Sequence, residues 1–155
     1  MLNHRRRFLK SLAALTGLLL AGTSTVLRAA LAASGRNKPA FTSDEQSAAI
    51  EKLFPGQTLL PSDAIDIQVH DLVENGAVVP VEINTRMESA ESITILVEKN
   101  PNPLIAHFRL GPRCQPRVAT RIKVNEPSNI TAVVKANGKL FSAVKFVEVI
   151  EGGCG

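Results

Sequence analysis

The sequence predicts a mainly β fold: an immunoglobulin-like antiparallel β-sandwich of about seven strands, with a short helix before it and a flexible tail after it. Apolar and polar residues alternate through most of the chain after Pro61, as in strands with one buried face. Turn sequences rich in Gly, Pro and Asn recur about every 8 to 12 residues, the spacing of a sandwich. The sequence contains no Trp, so the likeness to antibody domains is one of architecture only.

Residues 1–32 are predicted to be a twin-arginine signal peptide. Arg5-Arg6-Arg7-Phe8-Leu9-Lys10 carries the paired arginines of that export signal, and a modest apolar run follows over 11–27. Ala30-Leu31-Ala32 supplies the small residues that a signal peptidase reads. An uncleaved N-terminal anchor is the alternative. We therefore expect a periplasmic protein, exported through the twin-arginine pathway and without a membrane anchor.

The charge of the chain changes if this leader is removed. The whole sequence has 18 Lys and Arg against 14 Asp and Glu, and residues 1–32 hold five of the basic residues and no acid. Removing these five leaves 13 basic against 14 acidic residues. The excess of positive charge belongs to the leader, and no nucleic-acid partner is expected.

Residues 33–150 are predicted to form the sandwich domain. Residues 33–41 are polar and are expected to be a mobile start. Ser43 is expected to cap a helix over about 43–54, with Gln46 at the capping-box position, and Pro55-Gly56 ends it.

Seven strands follow from the alternation and the turns between them. Asn75-Gly76 and Asn137-Gly138 are predicted hairpin turns, since this pair readily adopts positive φ. Pro80 has no N–H to donate, so its strand is expected either at a sheet edge or open at that point to a partner. The strands are expected at about 65–69, 79–83, 93–97, 105–110, 118–124, 130–134 and 140–150.

Two cysteines are the strongest candidates for chemistry. Cys154 lies in the predicted flexible tail, residues 151–155, where Gly152, Gly153 and Gly155 give the thiol reach and clearance. Cys114 lies in the turn Pro112-Arg113-Cys114-Gln115-Pro116. Three interpretations are open: Cys154 is a functional thiol and Cys114 is incidental; the two form a disulfide with a redox role; or both form intermolecular crosslinks.

The other polar residues do not indicate a catalytic centre. His70 and His107 are far apart in sequence and lack companions at metal-ligand spacing, so no metal site and no cofactor are expected. A basic interval surrounds the fourth and fifth predicted strands, either as a solvated face or as a patch that docks an acidic partner. Its members are Arg109, Arg113, Arg117, Arg121 and Lys123.

Four stretches and the leader together resemble the SoxY family, the sulfur-carrier subunits of the bacterial thiosulfate-oxidising Sox system. The most specific stretch is the tail Gly152-Gly153-Cys154-Gly155. The family tail usually has two glycines after the cysteine, whereas Gly155 alone follows Cys154 here. The other three stretches are Val73-Glu74-Asn75-Gly76-Ala77-Val78-Val79-Pro80-Val81, Lys99-Asn100-Pro101-Asn102-Pro103 and Ala119-Thr120-Arg121-Ile122.

The resemblance implies a carrier rather than an enzyme. In the family the cysteine that matches Cys154 is conjugated to thiosulfate by the c-type cytochrome SoxAX, and the hydrolase SoxB then releases sulfate. Where it is present, the sulfur dehydrogenase SoxCD oxidises the remaining sulfane. The resemblance also implies a heterodimer with SoxZ, a second small sandwich protein, and assigns no role to Cys114.

Two other function classes remain as alternatives. A thiol–disulfide redox protein would use Cys114 and Cys154 as an exchanging pair, so that neither cysteine alone would suffice. A plain binding module would not need residues 152–155.

Overall fold

The computed structural model describes residues 35–151, within a chain that divides into two compact units, residues 1–36 and 37–155. The predicted signal peptide, Gly152, Gly153, Cys154 and Gly155 lie outside the described residues, and their assignments stay predictions. Within the described range, no helix has the length and apolar character needed to cross a membrane.

Two short helices and nine strands make up the described fold. Helix α1 spans Lys38–Phe41 and helix α2 spans Gln46–Leu53. The strands are β1 (Leu59–Pro61), β2 (Ile65–Gln68), β3 (Leu72–Asn75), β4 (Val79–Thr85), β5 (Ala90–Val97), β6 (Leu104–Arg109), β7 (Arg117–Ile122), β8 (Ser128–Ala136) and β9 (Lys139–Glu151). The predicted mainly β sandwich is confirmed, with nine strands in place of about seven.

The strands form two sheets that enclose the main core. The larger sheet has the order β1-β9-β8-β5-β6, and β3 pairs with the far end of β9. The smaller sheet has the order β2-β4-β7. Alternate residues of both sheets point inward, so Ile83, Ile95 and Val134 are fully buried in one cluster. Burial of this apolar surface is the main source of stability.

The helices cover part of the outer face of the larger sheet and build a second cluster there. Ala49 and Phe54 pack with Leu96, Val133 and Leu140.

The predicted start of the helix is wrong. Residues 38–41, expected to be mobile, form α1, with Pro39 in its first turn and the Asn37 side chain accepting from the Ala40 N–H at 3.2 Å. Helix α2 begins only at Gln46, without a side-chain cap. The Ser43 hydroxyl is buried instead, where it donates to the Pro39 carbonyl at 3.0 Å and accepts from Lys52 Nζ at 2.8 Å. The Ser43 hydroxyl therefore links α1, through Pro39, to α2, through Lys52, and does not cap α2.

Strand β9 is the longest strand and has neighbours that the alternation does not predict. Its start pairs in parallel with β1, Leu59 opposite Leu140, and its end pairs in parallel with β3, Asn75 opposite Glu151. The prediction of a purely antiparallel sandwich is therefore corrected. The chain first pairs with β9 as β1, then crosses to the smaller sheet as β2, and returns to pair with β9 again as β3. Asn75-Gly76 consequently ends a parallel strand and is not a β-hairpin turn.

Pro80 lies in the central strand of the smaller sheet, so the predicted edge strand is wrong, but the strand is open on the β2 side at Pro80, as the other alternative expects. Thr85 N donates to Pro116 O on the β7 side, and Arg86 N donates to Ala64 O on the β2 side. Since these directions alternate along a strand, the Pro80 nitrogen faces the β2 side. Strand β2 pairs only as far as Glu82, so the missing N–H leaves no carbonyl of β2 without a donor.

The Asn137-Gly138 hairpin is confirmed. Ala136 pairs with Lys139 across a two-residue loop in which Asn137 has φ 50° and Gly138 has φ 73°. Positive φ at both loop residues is the type I′ geometry that matches the twist of the flanking strands. This turn sets the register of β8 against β9, the strand that leads to the tail.

Candidate functional site at the root of the tail

Strand β9 carries the chain to one end of the sandwich, and Glu151 is the last residue described there. The Glu151 carbonyl accepts from Gly76 N at 2.8 Å, and the Gly76 carbonyl accepts from Val124 N at 2.8 Å. The point where the tail begins is thus tied through Gly76 to the segment that follows β7. We call Gly76, Asn100, Val124 and Glu151 the tail platform.

Asn100 fixes the neighbouring loop of the platform. The residue is 8% exposed; its side-chain amide donates to the Lys123 carbonyl at 2.8 Å, and the amide oxygen accepts from Asn125 N at 3.0 Å. One buried side chain therefore satisfies two backbone groups of the segment between β7 and β8. Asn75 acts locally in the same way, because its side-chain oxygen accepts from Ala77 N at 2.8 Å.

The stretches on which the resemblance depends converge on this platform. The segment 73–81 contributes Gly76, the turn 99–103 contributes Asn100, and the run 119–122 leads directly to Val124. All three surround the strand end that bears the fourth stretch, the tail. Sequence reasoning did not single out Gly76 or Asn100 as site residues; the turn propensity of both segments was the only available signal.

Cys114 lies at the opposite end of the smaller sheet. It is an exposed free thiol in the loop between β6 and β7, with its N–H bonded to the Gly111 carbonyl at 2.9 Å. Strand β7 begins at Arg117 and Val124 belongs to the platform, so the two ends are about 23 Å apart at the usual rise per residue. Three residues from Glu151 to Cys154 span at most about 11 Å.

The basic interval does not form a single patch. Arg117 is held in a two-bond ion pair with Glu82, at 2.8 and 2.6 Å. Hydrogen bonds from Arg117 and then Asn84 lower the pKa of Glu82, and Glu82 in turn raises the pKa of Arg117. Arg121, opposite Pro80 on β4, contributes to an open groove that Glu82, His70 and Lys145 also line.

The two histidines have separate environments. His107 is half-buried, with its Nδ1 2.9 Å from the Thr94 hydroxyl and its ring edge-on to that of Phe54, the residue after α2, at 5.8 Å between centroids. Burial, and then the Arg109 charge, lower the pKa of His107. His70 is exposed at the groove. Across residues 35–151, no three His, Cys, Asp or Glu side chains come together as a metal site.

Comparisons with known proteins identify relatives of this arrangement. A family model described as sulfur oxidation protein SoxY matches residues 50–154, a span that includes Cys154. The solved structure of the sulfur carrier protein SoxY from Chlorobium limicola f thiosulfatophilum is 36% identical, with a TM-score of 0.63 over 68% of this chain and 96% of that chain.

A second solved structure shows the fold alone. The superoxide reductase (neelaredoxin) from Ignicoccus hospitalis has a TM-score of 0.53 at 15% identity, over 59% of this chain and 94% of that chain. A comparison with curated protein sequences gives no match.

The fold and the platform define a class of protein: a small β-sandwich whose last strand delivers a cysteine-bearing tail from one end of the domain. Within that class the chain belongs to the SoxY family of sulfur oxidation proteins. This membership supports a sulfur-carrier role, and with it partners from the Sox system.

Proposed function

We propose that the protein carries sulfur intermediates of thiosulfate oxidation as covalent adducts of Cys154 in the periplasm, and that it acts as a substrate for partner enzymes and not as a catalyst. The observation that carries the proposal is the SoxY family match, which runs through Cys154, three positions after the end of β9.

The chemistry of the cycle requires only a thiol from this chain. Conjugation joins the Cys154 sulfur to the outer sulfur of thiosulfate and releases two electrons, which the c-type cytochrome SoxAX accepts. Hydrolysis by SoxB adds water across the sulfur–sulfonate bond and leaves sulfate and a cysteine persulfide. Where SoxCD is present, six-electron oxidation of the sulfane with three waters, followed by another hydrolysis, restores the thiol.

The platform suits this role because it holds the end of β9 rigidly, and only a short tether, residues 152–154, follows that end. Hydrogen bonds of Gly76 and Asn100 hold the root, while Gly152 and Gly153 bring no side chain that would obstruct entry into a narrow active site. The tether reaches about 11 Å beyond Glu151. Each enzyme therefore has to bring its active site close to the platform. Once an enzyme is docked there, the short tether gives the Cys154 thiol a high effective concentration at the active site.

Strand geometry disfavours the redox alternative within one chain. A disulfide allows at most about 7 Å between Cα atoms, so the tether and the bond together span about 18 Å from Glu151. The loop of Cys114 begins beyond the far end of β7, about 23 Å from the platform. Cys114 therefore has a position that suits an independent thiol better than a partner of Cys154.

Cysteine variants separate these functions. We expect Cys114→Ser to retain adduct formation with thiosulfate and SoxAX, and Cys154→Ser to abolish it, measured as a mass increase on the C-terminal peptide. Loss of the adduct in Cys114→Ser would favour the redox pair. Full activity of a variant lacking residues 152–155 would favour the plain binding module.

A further inference from the structure

Strand β7 has a neighbour on one side only. The order of the smaller sheet is β2-β4-β7, and in the described part of the chain β7 pairs only with β4. Thr85 N donates to Pro116 O, so Pro116 and every second residue after it face β4 with their backbone groups. The N–H and C=O groups of Ala119 and Arg121 therefore face outward. We call residues 119–121 the β7 edge.

The chain satisfies the outward backbone groups on both sides of the β7 edge. Before it, Arg117 N donates to the Gln115 carbonyl at 2.8 Å. After it, the Asn100 side chain donates to the Lys123 carbonyl and accepts from Asn125 N. Among the described residues, none bonds to the outward groups of the β7 edge itself. Unpaired backbone groups on an outer strand are a template for an added strand.

The charges beside the β7 edge favour an acidic strand. Arg121 and Lys123 are exposed, and neither forms an ion pair within residues 35–151. Arg117, at the start of β7, is already paired with Glu82. A strand that places carboxylates opposite Arg121 and beside Lys123 gains the attraction of opposite charges across a strand pair.

A second copy of this chain fits the β7 edge poorly. A twofold axis at Ala119 would pair β7 of one copy antiparallel with β7 of the other. Arg117 of each copy would then lie opposite Arg121 of the other copy. Like charges directly opposite each other destabilise a strand pair, so the pattern favours a different protein.

We propose that the β7 edge binds an extended acidic segment of an enzyme that acts on Cys154, as a strand added beside β7. This inference rests on the proposed function and deepens it by giving the enzyme a position on the sandwich. Arg121 is three residues before Val124 of the tail platform, about 10 Å along the chain. A segment bound there lies close to the root of a tether that reaches about 11 Å beyond Glu151.

The reactions of SoxAX and SoxB test the inference, with the complex of this chain and SoxZ as the varied substrate. We expect Arg121→Glu to raise KM by about tenfold or more and to leave kcat unchanged, because docking is weakened and the tail is intact. Ala119→Pro removes an outward N–H and keeps the pairing with β4, and we expect KM to rise by about fivefold or more. Arg113→Glu is the matched control: it makes the same charge change in the exposed loop before β7, and KM should not change.

The KM values distinguish this inference from the proposed function. A raised KM in both variants, for either enzyme, supports the inference. If KM is unchanged for both enzymes in both variants, the β7 edge is not a docking site, and the proposed function stands. If only Arg121→Glu raises KM, the charge acts without strand pairing and the inference is wrong. If neither enzyme acts on the unsubstituted complex, the proposed function fails and the inference fails with it.

Amide hydrogen exchange at residues 119–121 gives a second readout that does not depend on how Ala119→Pro folds. Strand pairing should slow exchange of the Ala119 and Arg121 N–H groups when SoxAX or SoxB is added, and unchanged exchange with both enzymes would contradict it. A homodimer of the lone chain that Arg121→Glu strengthens would assign the β7 edge to a second copy and overturn the inference.

Discussion

At the scale of single residues, Asn100 holds the tail platform together. Its buried amide serves two backbone groups between β7 and β8, whereas Asn102, two positions later in the same turn, is exposed. Burial is what makes the first side chain costly to remove. We expect Asn100→Ala to lower the free energy of unfolding by about 1 to 3 kcal/mol, and Asn102→Ala to change it by less than about 0.5 kcal/mol. Urea denaturation measures both, and equal losses would contradict the role given to Asn100.

His107 makes stability depend on pH. Its pKa is lowered in the folded protein by burial and by Arg109, so the unfolded chain takes up the proton first as the pH falls. The contribution is complete above the unfolded pKa of about 6.5 and is lost as the pH falls from there towards the folded pKa.

We therefore expect the thermal midpoint to fall as the pH drops below about 6.5, and His107→Gln to reduce that slope. His70→Gln, which removes an exposed histidine, is the control for loss of an imidazole. An unchanged slope in His107→Gln would show that other groups cause the pH dependence.

At the scale of elements, the β8–β9 hairpin aligns the strand that leads to the tail. Gly138 has φ 73°, a conformation that costs a residue with a Cβ atom about 1 to 2 kcal/mol. We expect Gly138→Ala to destabilise the domain by about that amount. Gly111→Ala is the matched control, because its added Cβ would make only an ordinary contact, 3.6 Å from Cys114 Sγ. Equal unfolding energies for the two variants would contradict the turn assignment.

The elements also show how far local sequence determines this fold. Alternation and turn residues predict the seven strands β2 and β4 to β9, whichever strands they pair with, and Asn137-Gly138 predicts the β8–β9 hairpin. Strands β1 and β3 have only three and four residues, are largely exposed and pair with the distant β9, so they carry no periodic signal. Pro80 misleads for a related reason: its missing donor is harmless only because β2 is short.

At the scale of the whole molecule, the sandwich separates its two thiol-bearing regions. The tail platform lies at one end of β7 and the Cys114 loop lies at the other. The assignment of Cys154 stays a prediction from sequence, where glycines around a thiol form a local signal. The platform was not predictable, because Gly76, Asn100 and Val124 meet only once the strands are assembled.

The central claim is that Cys154 carries the sulfur covalently. Its most direct test is the intact mass and C-terminal peptide mass of the mature protein, purified without reductant from cells oxidising thiosulfate. We expect thiosulfonate or persulfide adducts confined to the peptide that contains Cys154, with Cys114 unmodified. A tail peptide that stays unmodified during turnover, or adducts that form on Cys114 instead, would contradict the account.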